Sequence, residues 1–220
     1  MPDDALHTPG AAAPRRPKWL VPGLVLLALV AGITVGLLLR PGGIQAWLPP
    51  PEVEGVLRGP FTLGGEFELT DHAGGRTRLS DLRGNVVLLF FGYTHCPDIC
   101  PSLLADLRLA LGRLGEHGER VRALFVSVDP ERDGPEQLRA YVTPFGPRFL
   151  GLTGSAEELA AVARRFGAAY EIEPHAPGAR DYEVAHSAFT YLIDAQGTVQ
   201  VMVRYGTPWE ALADEIARLL

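Results

Sequence analysis

The sequence predicts an α/β fold preceded by one transmembrane helix, and three observations carry that reading. Trp19–Leu39 is an apolar run without a charge. Asn85–Phe91 and Val121–Val128 are nearly continuous apolar runs, the pattern of strands buried on both faces. From about residue 61 onward, such runs alternate with segments whose apolar residues recur at helical spacing, which argues an α/β sandwich.

Residues 1–18 are rich in Pro, Ala and polar residues, the composition of a disordered tail. Trp19–Leu39 comes next, and at about 1.5 Å per residue it spans roughly 30 Å, the thickness of a hydrocarbon core. A core helix of a globular domain would show a polar stripe, whereas this run is apolar all round. It exceeds the roughly 7–15 apolar residues of a secretory signal. Ile44-Gln45-Ala46 is a poor cleavage site, so a retained anchor is expected, with cleavage as the alternative. Arg15, Arg16 and Lys18 precede the run, while Arg40 and Arg58 are the next basic residues after it. The positive-inside bias makes this a single-pass cell-membrane protein with a cytoplasmic tail and residues 40–220 on the extracytoplasmic, periplasmic side. Gly32 and Gly36 form a GxxxG pair, a weak pointer to helix pairing. Residues 40–60, with Pro49-Pro50-Pro51, read as a stiff extended linker, leaving 61–220 as one globular domain.

Within that domain, Phe61–Thr70 and Thr77–Leu79 flank the turn residues Asp71–Gly75, a hairpin signal. Ser80–Gly84 reads as a capped turn before the Asn85–Phe91 strand. Pro101–Leu114 places Leu103, Leu104, Leu107, Leu111 and Leu114 at helical spacing. After Val121–Val128, a helix over Pro135–Tyr141 opens with Pro at an early position. A short strand, Phe149–Leu152, precedes a helix over Ser155–Phe166, where Ser155 and Glu158 form a capping box. Ala169–Ile172 and Glu183–Asp194 read as strands joined by a polar loop, then Val199–Tyr205 as a strand and Pro208–Leu220 as a closing helix.

Composition narrows the function. A net charge of −6 argues against binding a phosphate backbone, so no nucleic-acid partner is expected. The methionines are Met1 and Met202, so a Met-rich copper tract is absent. The only cysteines, Cys96 and Cys100, stand four residues apart where an apolar strand gives way to a helix. Backbone N–H groups at a helix start favour thiolates, so both thiols are expected to be more acidic than free cysteine. Such a pair can exchange disulfides or hold a soft metal. As an inert staple it would contribute little, since a loop of about five residues restricts the unfolded chain by only about 2 kcal/mol.

The stretch Phe90–Pro101, FFGYTHCPDICP, resembles the Sco/SenC/PrrC family of copper proteins that assist cytochrome c oxidase assembly. Further matches follow in family order: Val126–Asp133, Leu150–Gly154, Asp181–Ser187 and Tyr191–Asp194. The resemblance implies a thioredoxin-like fold, here with an N-terminal hairpin extension. It also implies one copper ion per chain, Cu(I) or Cu(II), bound by Cys96, Cys100 and His186. Two thiolates and an imidazole suit Cu(I), and three ligands leave the ion open to a partner by stepwise exchange. Because the ligands must shed protons, binding is expected to weaken in acid.

The residues alone leave His186 open: it precedes the apolar run Ala188–Ile193, where a solvated histidine is less expected. His7, His72, His117 and His175 read as solvent-exposed. His95 adjoins Cys96 and reads as a neighbour that tunes the thiols. Asp129 reads either as a support for the site or as a cap on the loop before Pro130, and Asp98 as a residue that adjusts thiol acidity.

Two functions fit. The first is a copper metallochaperone for the dinuclear CuA site of cytochrome c oxidase subunit II, a carrier rather than an enzyme. The second is a thiol–disulfide reductase, with Cys96 and Cys100 as the redox pair, that keeps the cysteines of subunit II reduced for another copper carrier. Either role implies further extracytoplasmic partners, such as that carrier or a thioredoxin-like reductant. A thioredoxin-fold peroxidase fits the cysteine spacing poorly, and a membrane-coupled redox or copper sensor is a further reading.

Overall fold

The computed structural model describes residues 20–38 and 52–220, which belong to two separate compact units. The first unit contains helix α1, Leu20–Leu38, which carries no acidic or basic residue at either end. The side chains described from Val25 to Gly36 are exposed. Among the described residues no helix is long and apolar enough to cross a membrane. Trp19 and Leu39, the ends of the expected span, lie outside the described residues, as does the expected tail 1–18.

The second unit is built on one eight-stranded sheet. Its strands are β1 (Val56–Arg58), β2 (Glu68–Asp71), β3 (Arg76–Arg78), β4 (Val86–Gly92), β5 (Val121–Ser127), β6 (Phe149–Thr153), β9 (Phe189–Ile193) and β10 (Val199–Arg204). They lie in the order β1-β10-β9-β4-β5-β6-β2-β3. A small separate sheet pairs β7 (Tyr170–Ile172) with β8 (Val184–His186). The helices are α2 (Ile99–Arg113), α3 (Pro135–Val142), α4 (Ala156–Phe166) and α5 (Trp209–Leu219).

Strands β4, β5 and β6 run parallel at the centre. Every residue of β4 is buried. Val86, Leu88 and Phe90 pack with residues of α2, α3 and α5, while Val87, Leu89 and Phe91 pack with residues of α4. Helices thus cover both faces of the sheet, which is why the strand reads as a continuous apolar run. Helix α4 has the expected capping box: the Glu158 amide donates to Ser155 Oγ and the Ser155 amide to Glu158 Oε2. Gly167, at φ 64°, ends it in the left-handed conformation.

Three expectations need correction. The expected linker 40–60 contains β1, which pairs antiparallel with β10; a strand of three residues is too short to show a period. The strand expected over Phe61–Thr70 begins only at Glu68, because Gly64 and Gly65 take φ values of 93° and 117° that strand interiors do not adopt. The strand expected over Glu183–Asp194 is broken at Ser187. There the Ser187 amide donates to Ala169 O and Ser187 Oγ accepts from the Ala169 amide, each at 2.8 Å. Ser187 Oγ stands there in place of the backbone carbonyl, so regular pairing stops and His186 is the last residue of β8.

Candidate metal centre

The parallel strand β4 delivers the chain to the loop Tyr93–Asp98, and α2 begins at Ile99. Gly92 allows that delivery: a Cβ there would lie 2.6 Å from Cys100 Sγ and 2.8 Å from Phe125 Cε2. The Cys96 amide donates to Tyr93 O at 3.2 Å, closing the loop. The Cys100 amide then donates to Cys96 Sγ at 3.5 Å, so the first thiol caps a free N–H in the opening turn of α2. Cys96 is half-buried, Cys100 is fully buried and neither forms a disulfide.

His186 arrives from the small sheet, opposite Tyr170 in register. Its Nδ1 lies 3.2 Å from Ser187 O, and a carbonyl only accepts, so Nδ1 carries the proton. The Nε2 lone pair of that tautomer faces Cys100 Sγ at 3.6 Å. Burial pushes the imidazole pKa below its ordinary value, and the Ser187 carbonyl pulls it partly back. A neutral ring with a free lone pair is the form that binds a metal.

The ligand atoms of Cys96, Cys100 and His186 all lie within 4.8 Å of one another. Two sulfurs and one nitrogen at that spacing suit a soft ion such as Cu(I). The expected acidification of both thiols does not hold for Cys100. Burial pushes its pKa well up, and the backbone hydrogen bond from Tyr93 offsets only part of that. A thiolate buried without a cation loses more solvation than one backbone dipole returns.

A buried network stands behind the site. Asp133 accepts from the Thr94 amide at 2.8 Å and from Thr94 Oγ1 and Ser127 Oγ at 2.6 Å each. Asp129 accepts from Tyr182 Oη at 2.7 Å and from Arg132 Nε. The Arg132 guanidinium lies 3.5 Å from the centre of the Tyr182 ring and 5.5 Å from that of Tyr93. The Tyr93 ring meets His186 edge-on at 5.9 Å.

Asp129 is therefore buried and bonded both within its own loop, to Arg132, and across to Tyr182. His175 is also more than a solvated loop residue. Its ring stacks on Tyr182 at 3.7 Å, and its side chain is 14% exposed. His72 Nδ1 accepts from the Gly151 amide, and His117 is exposed. His95 lies beside Thr94 Oγ1, outside the three-atom cluster. Asp98 is exposed at the start of α2 and makes no side-chain cap, and His7 lies outside the described residues. Sequence reasoning passed over Arg132, Asp133 and Tyr182, whose one signal was their place inside the quoted matches.

The family model SCO1/SenC matches residues 56–220. The bovine mitochondrial SCO2 homolog (Bos taurus) is 42% identical over 70% of this chain and 58% of its own length. The chain spans 58–66% of the length of the first curated relatives it matches. The structure of Bradyrhizobium japonicum ScoI with copper bound is 36% identical, covers 72% of this chain and 99% of its own, and superposes with a TM-score of 0.65. BsSco, a member of the Sco family of cytochrome c oxidase assembly proteins with a disulfide switch, is 25% identical over 74% of this chain and 96% of its own, with a TM-score of 0.58. The α/β domain shares the thioredoxin-like fold of these Sco structures.

Proposed function

The chain belongs to the SCO1/SenC family, and we propose that it is a membrane-anchored copper carrier that assists assembly of the CuA site in cytochrome c oxidase subunit II. Cys96, Cys100 and His186 hold one copper ion as cargo. The observation that carries this reading is the convergence of the Cys96 and Cys100 sulfurs and a ring nitrogen of His186 within 4.8 Å of one another. A copper-bound relative of the same fold supports it. When the ion binds, its charge favours the Cys100 thiolate that burial alone disfavours.

The anchor belongs to the same proposal. What supports it is the uncharged run Trp19–Leu39, which at about 1.5 Å per residue spans roughly the 30 Å of a hydrocarbon core as a helix. Residues 1–18 form the cytoplasmic tail, 19–39 the anchor, and the domain works on the extracytoplasmic side. Its start moves to the residues before β1, because β1 is part of the main sheet.

One observation favours a second reading, the thiol–disulfide reductase. Cys96 and Cys100 are both free and share one small cluster. In that role they would pass two electrons and two protons to a partner disulfide and themselves form a disulfide. A thioredoxin-like reductant would then return two electrons and two protons to the Cys96–Cys100 disulfide, and another carrier would load copper into the reduced cysteines of subunit II.

The test is a Cu(I) titration of the full chain in detergent, anaerobic and reduced, against a competing chelator, with His186→Ala alongside. One tight equivalent that is lost or strongly weakened in the variant supports the carrier. Weak binding, or binding indifferent to His186, shifts the reading to the reductase.

A further inference from the structure

Two segments distant in sequence must meet if Cys96, Cys100 and His186 are to share one point. No disulfide joins them, and residues 173–183 before β8 have no regular secondary structure. Ordering such a segment is costly unless its backbone carbonyls find donors. Arg132 supplies two: its Nη1 donates to Arg180 O at 3.0 Å and to Tyr182 O at 2.9 Å. The same guanidinium is bonded through Nε to Asp129 and lies over the Tyr182 ring. The other end of this short loop grips the cysteine side, where Asp133 accepts both Thr94 donors two residues before Cys96.

The Arg132 side chain is only 3% exposed. Burying a guanidinium is unfavourable unless its hydrogen bonds are met, and among the described residues its Nη2 has no partner. Filling space therefore does not account for an arginine here, whereas bridging does.

We propose that Arg132 is a positioning residue that acts through His186, tying the 180–182 segment to the loop that also holds Thr94. This rests on the copper reading above. Lysine keeps the charge, but its three N–H donors sit on one nitrogen and cannot reproduce the planar fork that here uses Nε for Asp129 and Nη1 for the two carbonyls. A role carried by charge alone would survive Arg132→Lys, and a positioning role would not.

The experiment is a double-mutant cycle on the full chain in detergent. Wild type, Arg132→Lys, His186→Ala and the double variant are titrated with Cu(I) against a competing chelator. Circular dichroism fixes a temperature at which all are folded. Arg132→Met is added as a charge-free variant, and if it does not fold the lysine variant carries the cycle alone. Losing a residue that orients a ligand typically weakens metal binding by about 10–100-fold. The expected result is a loss of that size for Arg132→Lys in the wild-type background and almost none in the His186→Ala background. Nitrogen couplings in the electron paramagnetic resonance spectrum of the Cu(II)-loaded chain should weaken in Arg132→Lys. Equal losses in both backgrounds, or wild-type binding by Arg132→Lys, overturn the proposal while leaving the carrier reading intact. Absence of tight, His186-dependent binding in the wild type is a different result and overturns the carrier reading itself.

Discussion

Cys100 Sγ and His186 Nε2 lie 3.6 Å apart although the two residues are 86 positions apart in the chain. The thiol comes from the first turn of a helix packed on the main sheet. The imidazole comes from the end of a strand in a different, two-stranded sheet. Their contact separates the two chemistries open to the cysteines.

His186→Ala is expected to weaken Cu(I) binding by more than the roughly 10–100-fold typical of losing a residue that only supports a ligand. Thiol–disulfide exchange by Cys96 and Cys100 needs no imidazole and should change little. Chelator competition measures the first and reaction with a small disulfide the second. Equal losses in both would argue against a ligand role for His186.

Gly92→Ala is expected to damage the site from behind. The added Cβ would fall 2.6 Å from Cys100 Sγ and 3.1 Å from Phe90 Cε2, closer than van der Waals contact permits. Overpacking of this kind costs about 1–3 kcal/mol. Denaturant unfolding should show that loss, and copper affinity should drop with it because the displaced group is the thiol. Unchanged stability and affinity would mean that the β4–α2 junction yields more easily than its packing suggests.

Arg58→Ala tests whether β1 matters to the domain. Arg58 donates through Nε and Nη2 to Glu215 on α5, at 3.1 and 2.5 Å. Glu215 is buried, Arg58 is about one-quarter exposed, and Arg218 also reaches the carboxylate. A cost of about 2 kcal/mol is expected, between that of a surface pair and a fully buried one. Chemical denaturation measures it, and a change within error would make β1 a passive addition to the sheet.

The same carboxylate predicts a pH dependence. Burial pushes the Glu215 pKa up, but hydrogen bonds from Arg58 and Arg218 outweigh burial and hold it below its ordinary 4.5. A lowered folded-state pKa adds stability above the unfolded value and loses it as pH falls through the folded one. The stability advantage of wild type over Glu215→Gln should therefore be full at pH 6 and shrink below about pH 4.5. Unfolding curves across that range decide it, and a constant difference would count against the ion pair.

The proposed anchor makes a further prediction. The full chain should remain in the membrane fraction after alkaline carbonate washing. In spheroplasts, external protease should reach the domain but spare a tag on residue 1, as the charge bias requires. A protease-sensitive tag would reverse the topology.

Much of the fold was legible because periodicity reports burial. The run Val86–Phe91 reads as a strand covered on both faces, and the helices over 101–114 and 155–166 show their leucine spacing or their cap directly. β1 was hidden because three residues carry no period, and Ser187 because a single hydrogen-bonded clip leaves no pattern. His175 looked like a loop residue because its partner Tyr182 joins it only through the loop's fold.

The sequence by itself determined the two-sided central strands, the apolar N-terminal helix and the paired thiols at the mouth of α2, since each depends on neighbours within a few residues. The residues alone left open which histidine meets those thiols, and only the resemblance pointed to His186; the burial that raises the Cys100 pKa and the contacts that bury Arg132 were decided by the tertiary structure. Those properties depend on solvent exclusion and on contacts between segments tens of residues apart, and no local spacing encodes either.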